Sequence, residues 1–459
     1  MHGMMTTSCR KNTGNWSEKN WRRSIMNLKT WTDEFAGRRI LIWGYGREGK
    51  STYEWIRHLC PDLPLDITDG GKGLDDARRS TVNTRCIRED ETDFGSYDLI
   101  MKSPGIVLKP GMGTEHICSQ TELFLKHLGD RTIGITGTKG KSTTTSLIAA
   151  ALAKKYRVHL VGNIGIPCFN ALYDFGDEDL AVFEISCHQL EYTEYSPHIA
   201  VYLNLFQEHL DHYGSFEAYG EAKNHIYRYQ KPGDIVMLGD MLEQQKKECP
   251  NALIIGKDIY ADGNILHAEN ASVEVKETKL IGAHNYTNLA VAYETAHNLY
   301  GVSDADFLEA VRDFEPLAHR LQDLGVHKGI RFVDDSISTI GQACIKALES
   351  LPLTDSVLIG GMDRGIDYTD LREYLAERKD LHVIFMYASG RRVYEEMQAE
   401  HTVHEHMYYA EDLKEAVRKA YEVTSEGHIC LLSPAASSYD HFKNFEERGD
   451  IFRKLAFEL

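Results

Sequence analysis

The sequence predicts an α/β protein of three domains, each built on a mainly parallel sheet with helices against it. Three observations predict it. Apolar runs of three to five residues alternate with helix-length segments along most of the chain, as parallel strands joined by crossover helices require. Two of those runs lead directly into glycine-rich turns, at 44–49 and 137–140. The length, 459 residues, is about three times an ordinary domain.

The first domain is expected at 36–126, as a Rossmann-like nucleotide-binding unit. Ile40-Leu41-Ile42-Trp43 reads as its first strand and 51–59 as a helix. Between them, Gly44-Tyr45-Gly46-Arg47-Glu48-Gly49 has the spacing of a dinucleotide fingerprint, a turn that lets backbone approach phosphates. Asp66 and Asp69 stand roughly where a ribose-binding acid would. Leu99-Ile100-Met101 reads as another strand, ending in the turn Ser103-Pro104-Gly105. The polar, mildly basic segment 1–35 is expected to be a disordered extension, or to lie upstream of a start at Met26. It lacks the apolar core of a secretory signal.

The central domain is expected at 127–315. Thr132-Ile133-Gly134-Ile135-Thr136 is an apolar strand feeding Gly137-Thr138-Lys139-Gly140-Lys141-Ser142-Thr143, and 146–152 continues as a helix. This is a phosphate cradle. Backbone N–H groups and a helix N-terminus surround phosphate oxygens, Lys141 reaches the terminal phosphates, and the Ser142 hydroxyl can hold Mg²⁺. The usual motif has a glycine five residues before Gly140; Ile135 stands there, so the shorter form Gly-Thr-x-Gly-Lys-Ser-Thr applies. A plain glycine turn is the bland alternative. Further strands are read at 157–161, 180–183, 200–203, 235–238 and 253–255, with a helix at 285–297.

Acids and histidines follow two of these strands. Glu184 lies past 180–183, at the strand end where open parallel sheets bind ligands. Gln207-Glu208-His209-Leu210-Asp211-His212 follows 200–203 and is a candidate metal or substrate contact. Either set could instead be an ordinary solvated strand exit. Lys223, on a helical stretch, reads by itself as a surface lysine. The third domain, 316–459, shows strands at 331–333, 356–359, 382–386 and 428–432, with helices such as 410–424 between them.

Composition narrows the function classes. Hydrophobic residues make up 42% and charged residues 26%, as in ordinary globular proteins. The balance of 51 basic and 69 acidic residues, net −18, argues against a general nucleic-acid binder. Nine single cysteines without a CxxC pair indicate reduced thiols, not a disulfide framework or a zinc site. No apolar run approaches 18 residues, so no membrane span is expected.

In order along the chain, the motifs resemble those of the Mur ligases, ATP-dependent amino-acid ligases of peptidoglycan precursor synthesis. They are Gly-Thr-Lys-Gly-Lys-Ser-Thr (137–143), Gly-Asn-Ile-Gly (162–165), Glu-Ile-Ser-Cys-His-Gln-Leu-Glu (184–191) and Asn-Leu-Phe-Gln-Glu-His-Leu-Asp (204–211). Ala-Lys (222–223), His-Asn-Tyr-Thr-Asn (284–288), His-Arg (319–320), Asp-Asp-Ser (334–336) and Gly-Gly-Met-Asp-Arg-Gly (360–365) continue the series. The segment 432–449 resembles the glutamate-adding branch.

The resemblance implies ATP and Mg²⁺, two ions, as cofactors. It implies UDP-N-acetylmuramoyl-L-alanine and glutamate as substrates, a cytoplasmic location and a monomer. It also implies roles. The loop Gly137, Thr138, Lys139, Gly140, Lys141, Ser142 and Thr143 would hold the ATP phosphates, with Asn285 and Asn288 near the adenine. Arg320 and Asp335 would reach ATP from the third domain. Ser142 and Glu184 would bind one metal ion, and His209 a second. Lys223 would be carbamylated into a further metal ligand; Lys141, Glu184, His209 and Lys223 form the catalytic set. Gly44, Gly46, Arg47, Glu48, Gly49, Ser103, Pro104, Gly105 and Asn163 would hold the UDP-sugar. Arg364, Ser438 and Phe445 would hold glutamate.

The chain departs from the family pattern at Asp335-Ser336-Ile337-Ser338-Thr339-Ile340, where Ile337 replaces a lysine and Ile340 an asparagine. The main branch adds D-glutamate. These departures look like a divergent branch that adds L-glutamate and relies on an epimerase. A folylpolyglutamate synthase lacks the full first domain and the Lys443-to-Gly449 segment. A NAD-dependent oxidoreductase built on 44–49 leaves the 137–143 loop unexplained. A non-catalytic nucleotide-binding regulator has no need of Lys141, Glu184, His209 and Lys223.

Overall fold

The computed structural model describes residues 28–108 and 111–459. The chain forms two compact units, the first comprising residues up to 141 with 156–252, the second 142–155 with 253–459.

The first unit contains two parallel sheets. Strands β1 (Ile40–Trp43), β2 (Leu65–Asp69), β3 (Thr84–Arg88), β4 (Leu99–Lys102) and β5 (Ile117–Cys118) lie in the order β3-β2-β1-β4-β5. All neighbours are parallel. The chain leaves β1 to one side for β2 and β3, then crosses to β4. A crevice therefore opens at the carboxyl ends of β1 and β4. There Ser103 donates its N–H to Trp43 O (2.8 Å) and its hydroxyl to Gly44 O (3.2 Å).

The second sheet carries β6 (Thr132–Thr136), β7 (Val158–Gly162), β8 (Leu180–Glu184), β9 (Ile199–Tyr202) and β10 (Ile235–Gly239), in the order β10-β9-β6-β8-β7. β6 is central, flanked by β8 and β9. Its side chains are buried on both faces, which is why these strands read as near-continuous apolar runs. Because β6, β8 and β9 are parallel neighbours, the loops after Thr136, Glu184 and Tyr202 leave one sheet edge together.

The second unit contains β11 (Leu253–Ile255) and a small antiparallel meander of β12 (Tyr260–Asp262), β13 (Ile265–His267) and β14 (Ser272–Glu274). The meander's strands are three residues long and alternate exposed with inward positions, too short for a sequence pattern to announce them. The unit's large sheet has β15 (Gln322–His327), β16 (Ile330–Asp334), β17 (Thr354–Ile359), β18 (His382–Met386), β19 (Met407–Ala410) and β20 (Ile429–Leu432). Their order is β15-β16-β20-β17-β18-β19, parallel except for β15 on β16. Core residues on its two faces include Val357, Phe385 and Leu431, and Leu358, Ile384 and Cys430. The mainly parallel α/β class read from the sequence holds, and each of the three expected α/β stretches contains one large sheet.

One expectation is corrected. Disorder does not extend to residue 35, because residues 28–35 are helical. Trp31 and Phe35 on that helix are buried, and Trp31 packs on Trp55 and Phe169, with ring centroids 6.0 and 5.6 Å away. Burying an aromatic pair removes enough apolar surface from water to order a short helix. Residues 1–27, including Met26, lie outside the described residues. Among the described residues no helix is long and apolar enough to cross a membrane.

Candidate functional site

The phosphate-loop geometry begins with glycine. Gly137 has φ 144° and Gly140 φ 83°, backbone that L-residues resist. Asn204, just past β9, fastens the loop. Its side-chain oxygen accepts from Thr138 N (3.1 Å) and Lys139 N (2.8 Å), and its amide donates to Lys139 O (3.0 Å). The Thr138 hydroxyl donates to Phe206 O (3.2 Å) and accepts from Phe206 N (2.9 Å). The Lys141 ammonium donates to Gly137 O (2.9 Å) and Thr138 O (3.0 Å).

Lys223, on the helix Phe216–Arg228, is buried rather than on the surface. Its ammonium donates to Gly137 O (3.0 Å) and lies over the Tyr219 ring, 4.8 Å from the centroid. Burial, reinforced by the nearby Lys141 charge, lowers its pKa to about 7. A fraction of the neutral, nucleophilic amine is therefore present at neutral pH.

Glu184 ends β8 with no exposed surface. One carboxylate oxygen accepts from Asn163 Nδ2 at 2.7 Å. The other, Oε2, is buried and has no hydrogen-bond partner among the described residues. A buried carboxylate oxygen without a donor is costly, and a hard cation satisfies it. No cluster of three or more His, Cys, Asp or Glu side chains able to hold a metal occurs among the described residues. Mg²⁺ does not need one, since it commonly takes one or two carboxylates and fills its shell with water and phosphate oxygens. The residues present fit such an ion.

A cavity of 380 Å³ is lined by Lys141, Asn163, Glu208, His209 and Lys223, together with Glu48, Pro104 and Gly105. A second, of 400 Å³, is lined by Gly44, Gly46, Arg47, Ser103 and Asp69, and shares Glu48, Pro104 and Gly105 with the first. The nucleotide-type loop of the first sheet thus borders the phosphate loop of the second. Gly49 packs beneath it, where a Cβ would overlap the Gly44 carbonyl. Asp69 accepts from Tyr45 N (2.9 Å) and Gly71 N (2.8 Å). Asp66 instead pairs with Arg85 and Tyr97, so of the two acids only Asp69 borders the cavity.

Three cavity residues, Glu208, His188 and Gln189, had no individual role assigned from the sequence, although Glu208 lies in the 207–212 segment read as a candidate metal or substrate contact. Glu208 is held below the ordinary carboxylate range. Burial pushes it up, but the pairing with Lys139 (2.7 Å) and the charges of Lys141 and His209 outweigh that. Gln189 accepts from Ser186 and donates to Glu48 (2.8 Å). Burial pushes Glu48 up to about 6. His188 packs edge-on to His209, with centroids 4.9 Å apart. Glu208, His188 and Gln189 lie inside the segments 204–211 and 184–191, so position in a motif was the available signal. The side chain of Asp211 lies outside those described.

In the second unit, Asn285 and Asn288 are buried on the helix Ala283–Tyr293, joined by a 3.0 Å hydrogen bond. Arg320 sits between His319 (φ 62°) and Leu321 (φ 44°), two non-glycine residues in left-handed conformation, a costly arrangement that clusters at functional sites. Arg320 donates to the Ser142 hydroxyl at 3.0 Å. Buried Asp335 accepts from Ser433 (2.8 Å), and burial raises its pKa to about 7. Arg364 is exposed in the loop after β17, and Ser438 is buried after β20. Met362 pairs with Ser437 as an isolated bridge, so those two loops run side by side. Phe445 begins the helix Phe445–Glu458, and its carbonyl accepts from Ser336 (2.8 Å).

A phosphate loop beside a buried lysine and an unsatisfied carboxylate defines a class, the nucleotide-dependent ligases and phosphotransferases. The comparisons narrow it. The Mur ligase middle domain matches residues 135–296. A UDP-N-acetylmuramoylalanine–D-glutamate ligase of Acidobacterium capsulatum is 33% identical over 471 residues, covering 92% of this chain and 96% of that protein. A UDP-N-acetylmuramoyl-L-alanine–L-glutamate ligase of Micromonospora sp. is 33% identical over 446 residues, covering 91% and 96%. The structure of MurF from Acinetobacter baumannii shares the fold with a TM-score of 0.60 at 17% identity, over 85% of this chain and 90% of that one. The chain belongs to the Mur ligase family, and it is an ATP-dependent amide-forming ligase.

Proposed function

We propose that the chain joins D-glutamate to the carboxyl group of UDP-N-acetylmuramoyl-L-alanine in peptidoglycan precursor synthesis. The observation that carries the reading is the buried, donor-free Oε2 of Glu184, whose other oxygen is held by Asn163, a residue that lines the same cavity as Lys141 and Lys223. The relative from Acidobacterium capsulatum bears this activity in its name.

A carboxylate is a poor electrophile, so it must be activated. A substrate carboxylate oxygen attacks the ATP γ-phosphorus, the bond to ADP breaks, and an acyl phosphate forms. The free amine of glutamate attacks the acyl carbon, the C–O bond to phosphate breaks, and the nitrogen gives up its proton as phosphate leaves. Lys141 and the loop amides of 137–143 neutralise charge on the transferred group. Ser142, Glu184, His209 and a carbamylated Lys223 would hold Mg²⁺ as two ions, which would supply Lewis-acid charge neutralisation. Gly44, Gly46, Arg47, Glu48, Gly49, Ser103, Pro104, Gly105 and Asn163 bind the UDP-sugar. Asn285, Asn288, Arg320 and Asp335 bind ATP, while Arg364, Ser438 and Phe445 bind glutamate. The reading includes domains at 36–126, 127–315 and 316–459, a monomer, and a cytoplasmic location.

Phosphate release from ATP, measured with UDP-N-acetylmuramoyl-L-alanine and either glutamate isomer, tests this. Turnover with D-glutamate is expected. Turnover with L-glutamate alone would replace the isomer and turn the 335–340 segment into a specificity marker; the Micromonospora relative and the isoleucines at 337 and 340 favour that second reading. Turnover with neither would remove the substrate assignment.

A further inference from the structure

The loops that leave the carboxyl ends of β16, β17 and β20 span 335–340, 360–368 and 433–444. Their lysines and arginines are Arg364 and Lys443, and the Lys443 ammonium stands 4.0 Å from Glu447. An acidic amino acid brings two carboxylates and needs a cation, so the placement of Arg364 matters more than its exposure suggests. Its own loop offers little rigidity, since Gly365 has φ 68° and Asp363, Arg364 and Gly365 lie outside any strand or helix.

Arg392, on the helix Tyr387–Ala399, grips this loop on both sides of Arg364. Its guanidinium holds Asp363 through two hydrogen bonds, Nε to Oδ2 at 2.8 Å and Nη2 to Oδ1 at 3.1 Å. Nη2 also donates to Ile366 O at 2.7 Å. Nη1 is tied back to Glu396 at 2.8 Å, and the guanidinium lies 5.2 Å from the Tyr368 ring centroid. Asp363 in turn accepts from Gly365 N at 3.0 Å. One turn earlier on the helix, Ser389 bonds both the N–H and the C=O of Gly361, at 2.9 and 3.0 Å. A planar fork with several fixed donors can hold a carboxylate bidentately while it donates to a carbonyl, a fixed geometry that a lysine's rotatable point charge does not supply.

We infer that Arg392 is a positioning residue for amino-acid recognition. It clamps residues 363 and 366 so that Arg364 meets a carboxylate of the incoming amino acid. The inference rests on the proposed function for the identity of that amino acid.

The test compares Arg392→Gln and Arg392→Lys with the wild type, and with Arg391→Gln as a control. Arg391 pairs with Glu411 and Tyr409 on the far side of the same helix turn. The full-length enzyme is assayed for the KM of each of its three substrates. Arg392→Gln is expected to raise the KM for the amino acid about 5- to 10-fold. Its KM for ATP and for the UDP-sugar should change less than about 2-fold. Arg392→Lys is expected to lie closer to Arg392→Gln than to wild type, and Arg391→Gln to match wild type. Hydrogen exchange at 363–367 should quicken in Arg392→Gln only. An unchanged amino-acid KM in Arg392→Gln overturns the inference, as does a uniform rise in all three KM values with a lowered Tm, the mark of a merely structural residue. If the wild type fails to use glutamate, the proposed function falls by itself. The exchange comparison then decides the clamp, and unaltered exchange at 363–367 overturns it.

Discussion

The edge of the second sheet and the edge of the third handle charge in opposite ways. At the second, Lys223 and Glu184 are buried. Desolvation lowers the one to about 7 and leaves the other with an unmatched oxygen. At the third, Arg364 is exposed and is placed indirectly, by a neighbour that grips its loop. The difference teaches where energy is stored. Groups that stabilise a developing charge are worth most where water is excluded and little reorganisation is needed. A group that selects a soluble amino acid must be reached from solvent, and solvent screens what it contributes.

The largest expected effect breaks this contrast if it fails. Lys141→Ala should reduce kcat about 10³-fold, roughly 4 kcal/mol, whereas Arg364→Ala should act mainly through a 10- to 100-fold rise in the KM for glutamate. Steady-state kinetics on the two variants decides, and equal losses in kcat would erase the distinction. Next in size is Gly49→Ala. Its added Cβ meets the Gly44 carbonyl, so a stability loss of about 1–3 kcal/mol is expected. The KM for the UDP-sugar should rise while that for ATP stays level. Urea unfolding with kinetics checks this, and an unperturbed KM would detach the 44–49 loop from substrate binding.

The smallest effect is a slope. Lys223 titrates near 7 in the folded protein against an ordinary 10.5, so between those values the unfolded chain binds more protons. Stability should therefore rise with pH across that window, by at most about 1.4 kcal/mol per pH unit from this one group. The penalty for burying its charge is fully present below pH 7 and is lost as the pH rises through 10.5. Lys223→Met should flatten the slope in bicarbonate-free urea titrations. An identical slope in the variant would mean that other groups carry it.

Much of the fold was legible in the sequence because parallel strands buried on both faces must be apolar throughout. Ile40–Trp43, Leu180–Glu184 and His382–Met386 fell within a residue or so of their predicted bounds. The phosphate loop was legible because Gly137 and Gly140 occupy backbone conformations that favour glycine. The helix at 28–35 was not, since its order comes from Trp31 meeting Trp55 and Phe169, far along the chain.

Residue chemistry and local backbone demand were thus determined by the sequence alone: the α/β class, the phosphate-loop turn, and the motif series that marks the Mur ligases. Only tertiary structure decided which groups lose their water. Lys223 reads as a surface lysine until a helix buries it against Gly137 and Tyr219. Glu184 reads as a candidate metal-holding acid at a strand end, but only the folded chain lets Asn163 satisfy one of its oxygens and leaves the other without a donor. Desolvation depends on everything packed around a group, and that is a property of the folded chain, not of any window of its sequence.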